Sequence, residues 1–191
     1  MDRTKVLQIF KNAGALLQGH FLLSSGLHSS QYLQCARALE DPQISGKLCR
    51  ALAENFRNDT IDAVVGPAMG GIIVAYELAR ALGAAALFAE RECGKMRLRR
   101  GFSLSPQDRV LIAEDVITTG GSVKEVIELV KAKGAQVVAV ASLADRSREK
   151  IGFGVRSVTL LKLDIKNFPP ENCPLCKQGI ELVKPGSKAA L

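Results

Sequence analysis

The chain has 191 residues, 47% of them hydrophobic and 24% charged, which is the composition of an ordinary globular protein with enough length for one substantial core. Its net charge of +7 favours anionic partners, but the surplus is spread widely and does not separate nucleic acid from a phosphorylated small molecule. Apolar stretches such as 71–81 and 137–144 fall short of the roughly 18 residues that span a bilayer, residues 1–5 lack a secretory pattern, and five scattered cysteines argue for reduced thiols. The expectation is a cytoplasmic chain with no membrane partner.

In chain order, a first helix is predicted over 3–13, followed by a turn-rich stretch at 19–29. Leu48, Leu52 and Phe56 recur every four residues and predict an amphipathic helix over 44–56. A short buried strand at 61–65 is broken by glycines, and a helix over 72–82 is stopped by Gly83. Strand follows at 84–89, then a basic, glycine-punctuated loop over 90–102, a strand at 109–113, a helix over 122–133 and strands at 136–143 and 155–163. Strand alternating with helix predicts an α/β fold with a central, mostly parallel sheet and helices on both faces. The core is expected over about 44–147, with the end segments 1–43 and 148–191 packed together as a small hood in a single domain.

The strongest chemical signal begins at Val110 and runs through Glu114, Asp115, Val116, Ile117, Thr118, Thr119, Gly120, Gly121 and Ser122, a buried strand leading through two acids into a helix. A glycine and hydroxyl loop at a helix N-terminus presents unpaired amides and the positive end of the helix dipole to a phosphate. Glu114 and Asp115, taken as ionised at neutral pH, suit two neighbouring ribose hydroxyls, because carboxylates only accept hydrogen bonds. Acids beside a phosphate cradle would repel a bare phosphate, so the pattern points to a phosphorylated sugar. The plain structural alternative is a strand-to-helix connection in which Ser122 caps the helix and the acids are solvated.

This element resembles the phosphoribosyl diphosphate signature of type I phosphoribosyltransferases. The resemblance implies that the 5-phosphate of the cosubstrate lies against Thr118 to Ser122, with Glu114 and Asp115 on the ribose. It also implies Mg²⁺, held mainly by the cosubstrate's own oxygens and water rather than by a dedicated protein cage. By the same backbone logic Gly66 to Gly71 forms a second anion site, and in the family this position, here Ala68, Met69 and Gly70, holds the diphosphate.

The basic stretch 90–102 resembles the catalytic loop of orotate phosphoribosyltransferases. Loss of diphosphate builds negative charge on the leaving group and positive charge on the ribose, so catalysis calls for cations and exclusion of water, which a basic lid supplies. Carried over by position, Lys95 matches the catalytic lysine and Arg91 a diphosphate arginine, while Arg97 stands where the family often has histidine and Glu92 where it often has lysine. The resemblance further implies a homodimer whose catalytic loop reaches across the interface.

Three features point to orotate as the base. Ser24, Ser25 and Gly26 lie in a segment resembling the orotate side of the bacterial enzymes, many of which carry a lysine at the position of Ser24. Arg146 matches the family's orotate-binding arginine, and a guanidinium fork fits the carboxylate that distinguishes orotate from uracil. A salt bridge to Asp145 or Glu149 is the structural alternative. Thr118 is also a family position facing orotate. The tail, with Cys173, Cys176 and the run 182–187, resembles the C-terminus of one bacterial subgroup. A single Cys-x-x-Cys supplies half of a tetrahedral zinc site, so it reads as a turn with two reduced thiols, with a zinc shared with a partner chain as the alternative. His20 and His28, the two histidines, read as local packing or loop hydrogen bonding.

The expected activity is transfer of the phosphoribosyl group from phosphoribosyl diphosphate to orotate, by the bacterial single-function form without a fused decarboxylase. The rivals are transfer to a purine or uracil, and a nucleic-acid-binding regulator that keeps the fold. Lys95 and the lack of an added DNA-binding segment argue against the regulator, so no nucleic-acid partner is expected.

Overall fold

A computed structural model describes residues 1–23 and 25–185 of the chain. Helix α1 (Arg3–Asn12) starts at Asp2, whose side chain accepts from the Lys5 amide at 2.9 Å. Strands β1 (Leu16–Leu22) and β2 (His28–Leu33) follow, so the stretch expected to be mainly turns is a β-hairpin whose turn occupies only residues 23–27. Its glycines and serines, which read as turn residues, hid the pairing. The short helix α2 (Cys35–Leu39) then leads to α3 (Pro42–Ala53), which Asp41 caps with Pro42 in the first turn.

The remaining elements follow the predicted alternation of strand and helix except for one added strand, Lys95–Leu98. They are β3 (Ala63–Pro67), α4 (Gly70–Leu82), β4 (Ala85–Glu92), β5 (Lys95–Leu98), β6 (Arg109–Ile117), α5 (Gly121–Ala132), β7 (Gln136–Asp145) and β8 (Arg156–Lys162). Helix α4 ends at Gly83, which takes the left-handed conformation at φ 70° that a residue with a Cβ adopts only at a cost. After β8 come the two-residue β9 (Asn167–Phe168) and the single-turn α6 (Pro174–Lys177).

Six strands form one sheet in the order β5-β4-β3-β6-β7-β8, parallel except for β5. Neighbouring residues on β3 and β6 face opposite cores, which explains their unbroken apolar runs. On one face Val64 and Leu111 pack with Val6 and Phe10 of α1, Leu48 and Leu52 of α3 and Leu78 of α4. On the other, Val65 and Ile112 pack against Val123, Val126, Ile127 and Val130 of α5. Leu111 and Ile112 are fully buried, and each side chain stabilises the fold by about 1.5–3 kcal/mol through burial. A second sheet, β1-β2-β9, joins the N-terminal hairpin to the C-terminal segment.

The basic segment after β4 also departs from expectation. Instead of a free loop, β4 continues to Glu92, turns through Cys93 and Gly94, and returns as β5 with Glu92 paired to Lys95. Cys93 and Gly94 have φ of 47° and 78°, and positive φ at both central residues is the type I′ geometry that matches strand twist in a two-residue hairpin.

Candidate active site

Parallel strands carry the segments singled out in the sequence to one end of the sheet, beyond the carboxyl ends of β3, β4, β6 and β7, which is where open α/β sheets bind ligands. Direct contacts tie them together. A Cβ placed on Gly70 would lie 2.2 Å from Asp115 Oδ2, so the start of α4 rests directly on the second acid of β6. The Arg146 amide donates to the Ile117 carbonyl at 2.9 Å, which seats Arg146 beside the loop that follows β6.

That loop leads into α5 through Gly120, at φ 75°, with no side chain capping the helix. Ser122 is therefore not the cap, and among the described residues the one side-chain acceptor on the first-turn amides of α5 is Thr119 Oγ1, 3.5 Å from the Gly121 amide. No acid lies in this first turn. Behind the loop, a Cβ on Gly120 would come within 3.0 Å of Phe153 and 3.1 Å of Ile151, so residues 151–153 back the cradle and only glycine fits there. Helix α4 begins similarly at Met69 without a side-chain cap, and the Ala68 amide is held by the Ala89 carbonyl at 2.8 Å. The Ala68–Met69 peptide is cis.

The two acids differ. Glu114 is buried, and its Oε1 accepts from the Asp115 amide at 3.1 Å, while Asp115 Oδ1 accepts from the Val116 amide at 2.8 Å. Burial, and then the neighbouring Asp115 charge, push the Glu114 carboxyl up to about 9. Glu114 therefore holds its proton more tightly than an exposed carboxyl, which sets it apart from the expectation of two acids ionised alike. Beneath them Cys35 of α2 points its thiol at the Asp115 carbonyl at 3.7 Å, and its burial and the two acids push that thiol up.

Arg146 is half-buried, and desolvation pulls its guanidinium below its ordinary pKa. Its guanidinium carbon lies 5.8 Å from the Tyr32 ring centre, a cation–π contact that links the first hairpin to the end of β7. Among the described residues no carboxylate lies within salt-bridge distance of Arg146, because Asp145 is taken by Lys162 at 3.0 Å and by the Ser147 amide at 2.7 Å. Among the described residues, neither expected ion pair for Arg146 forms, which leaves a half-buried, desolvated cation against Tyr32.

The basic hairpin is more nearly neutral than its sequence suggests. Arg91 reaches Glu125 of α5 at 2.8 Å, Arg97 pairs with Glu92 at 3.3 Å, Arg99 with Glu92 at 3.1 Å, and Arg100 with Glu90 through two contacts of 3.1 Å. Among the described residues Lys95 is the one hairpin cation without an ion pair. It lines a shallow groove with Lys124, Glu125, Glu128 and Leu129 of α5. Ser25 and Gly26 lie in the exposed turn of the first hairpin, with Gly26 at φ 79°, and Ser24 lies outside the described residues. Sequence reasoning missed Tyr32, Cys35, Glu125, Ile151 and Phe153, all recruited from segments without a motif and visible only through their contacts.

Comparison with known proteins agrees with this geometry. The phosphoribosyl transferase domain family matches residues 36–169. A protein of Desulforamulus reducens named orotate phosphoribosyltransferase is 55% identical over 98% of both chains, and its namesake from Thermotoga maritima is 55% identical over 96% of this chain and 98% of its own. The crystal structure of orotate phosphoribosyltransferase from Aeropyrum pernix superposes with a TM-score of 0.71 at 30% identity, covering 83% of this chain and 93% of that one. With the family's domain matched over residues 36–169 and relatives sharing 55% of its residues along almost its whole length, the chain belongs to the phosphoribosyl transferase family.

Proposed function

We infer that the chain is an orotate phosphoribosyltransferase, which joins orotate to the ribose of phosphoribosyl diphosphate and releases orotidine 5′-monophosphate and diphosphate in pyrimidine biosynthesis. The observation that carries the reading is Arg146, a desolvated guanidinium without a carboxylate partner among the described residues, next to the loop leading into α5. It is complementary to a planar anionic base, and the names of relatives at 53–56% identity support the same substrate.

In this reading the amides and hydroxyls of Thr118, Thr119, Gly120, Gly121 and Ser122 hold the 5-phosphate, with Val116 and Ile117 placing the loop. Glu114 and Asp115 bind the ribose hydroxyls. Ala68, Met69 and Gly70 offer backbone groups to the diphosphate. Arg146 and Thr118 orient orotate, aided by Ser24, Ser25 and Gly26. Lys95 acts on the leaving diphosphate, where charge grows as the glycosidic bond breaks, and Arg91 and Arg97 add to that field once they exchange their glutamate partners for phosphate.

Mg²⁺ fits the donor set, since Asp115 and Glu114 border the cleft and Mg²⁺ usually takes few protein ligands. When bound to the cosubstrate it would neutralise diphosphate charge. The chain acts as a cytoplasmic homodimer in which the Lys95 hairpin serves the partner's cleft. Among the described residues Lys95 makes no ion pair, which leaves its charge available for that role. No described helix is long and apolar enough to cross a membrane.

The test is diphosphate release with orotate, uracil, adenine, guanine or xanthine supplied singly with phosphoribosyl diphosphate. Turnover with orotate alone is expected, and turnover with a purine but not orotate refutes the reading.

A further inference from the structure

The two histidines and the two tail cysteines, which the mechanism leaves unused, converge. His20 of β1, His28 of β2, and Cys173 and Cys176 around α6 bring one ligand atom each to within 4.8 Å of one another. His20 Nε2 lies 2.9 Å from His28 Nδ1, 3.5 Å from Cys173 Sγ and 3.7 Å from Cys176 Sγ, and Cys176 Sγ lies 3.3 Å from His28 Nδ1. A tetrahedral zinc ion, with Zn–S near 2.3 Å and Zn–N near 2.0–2.1 Å, sets sulfur–nitrogen edges of about 3.6 Å and a nitrogen–nitrogen edge of about 3.3 Å. These four edges lie within roughly 0.4 Å of those values, and the widest separation within the group is 4.8 Å.

Two further observations bear on the ligand. The outer nitrogen of His20, Nδ1, lies 2.8 Å from the Ile180 carbonyl, which can only accept, so Nδ1 carries the proton. A neutral His20 then presents a lone pair at Nε2, the atom aimed into the cluster, and a backbone partner on the outer nitrogen is the usual support of a metal-bound imidazole. The second observation is how little the tail buries. From residue 169 to 185 Cys173 is the only buried residue, whereas Ile180, Leu182 and Val183 remain 40–48% exposed. Hydrophobic burial does not hold this segment to the first hairpin, and its backbone ties there are the two hydrogen bonds of Val183 with His20 and Leu22. Small segments without a core of their own are held by staples such as metals.

We propose that His20, His28, Cys173 and Cys176 form a structural zinc site that clamps the C-terminal segment onto the β1–β2 hairpin. Binding releases the two thiol protons to solvent, and the two thiolates balance the charge of Zn²⁺. The resulting neutral site is closed, with four protein ligands and no open position for substrate, so its role is structural. The proposal does not rest on the reaction assigned to the carboxyl end of the six-stranded sheet.

Metal analysis of the full-length chain, purified without chelator, is expected to find one zinc per chain. Replacement by Co²⁺ should give the visible ligand-field and thiolate charge-transfer bands of a tetrahedral sulfur and nitrogen site. C176S, at an exposed position, should weaken zinc binding by at least about tenfold, as loss even of an outer-shell partner does. Removing zinc from the wild-type chain should lower its melting temperature and expose the tail to protease, while the core sheet keeps its circular dichroism. A wild-type chain that carries no metal and takes up none, that holds Cys173 and Cys176 as a disulfide, or that gives an octahedral cobalt spectrum overturns the proposal. Because these readouts use the wild-type chain, misfolding of a variant cannot obscure the result.

Discussion

Replacing Gly70 with alanine tests how tightly the two phosphate-side turns are packed. The new methyl would sit 2.2 Å from Oδ2, 2.4 Å from Cγ and 2.9 Å from Oδ1 of Asp115, whereas non-bonded carbon contacts are comfortable at about 3.5–4.0 Å. The carboxylate must therefore swing away by about an ångström, giving up the Val116 amide it now accepts from at 2.8 Å. Overpacking and the lost hydrogen bond together cost about 1–3 kcal/mol. For a domain of this size each kcal/mol moves the melting temperature by about 2–4 °C, so a fall of roughly 2–12 °C is expected. The displaced acid also leaves the ribose, and loss of a charge-assisted hydrogen bond weakens phosphoribosyl diphosphate binding about 10- to 100-fold. Thermal melts and calorimetric titration of G70A, D115A and the double variant check this as a mutant cycle. In D115A the clashing atoms are gone, so adding G70A should cost little further stability. An equal penalty in both backgrounds, or a G70A chain that melts and binds like wild type, would show that Gly70 and Asp115 are not in contact.

Glu114 links stability to pH. Its folded pKa of about 9 lies above the ordinary carboxylate value, so folding favours the protonated form. The resulting penalty is absent below about pH 4, grows as pH rises and is complete above about 9. E114Q cannot ionise, so its stability relative to wild type should rise steadily with pH across this window, even as ribose binding suffers; a gap independent of pH contradicts the assignment. K95A should lower kcat about 10²–10³-fold with a much smaller change in phosphoribosyl diphosphate affinity, because its charge matters most as diphosphate departs. Unchanged turnover removes Lys95 from the mechanism. R146A should raise the KM for orotate about 10- to 100-fold while sparing phosphoribosyl diphosphate, and an unaltered KM makes Arg146 structural. Mixing inactive K95A and D115A chains should restore about a quarter of wild-type activity if each hairpin serves its partner's cleft, since half of randomly formed dimers are mixed and each has one intact site. No recovery after demonstrated subunit exchange places Lys95 in its own chain's cleft.

Several of these expectations start from features readable along the chain. The alternation from β3 to β8 was legible because parallel strands buried on both faces are continuous apolar runs, and the helices between them keep a clear helical period. The hairpins were less legible. Residues 16–33 pair through a polar, half-covered surface, and the turn at Cys93 and Gly94 adopts the geometry of an Asn-Gly turn without its usual residues. Glu114 and Asp115 were visible as a pair, yet their inequality was not, because it comes from burial that no neighbour in sequence reports. The basic run around Lys95 was visible as charge, but its neutralisation by Glu90, Glu92 and Glu125 depends on antiparallel pairing and on the docking of α5.

What the order of residues determines by itself is local: hydrophobic period, glycine turns at helix starts, and a strand-borne acid pair leading into a phosphate cradle. These suffice for the sheet, the family and the end of the sheet where chemistry occurs, because each motif is contiguous and parallel topology aligns strand ends. Tertiary structure alone decided which distant groups meet. It placed Tyr32 against Arg146, Gly70 against Asp115, and His20 and His28 against cysteines about 150 residues away. Such contacts follow from chain crossovers and sheet pairing, whose partners are chosen by the burial of the whole fold and leave no periodic trace in any one segment.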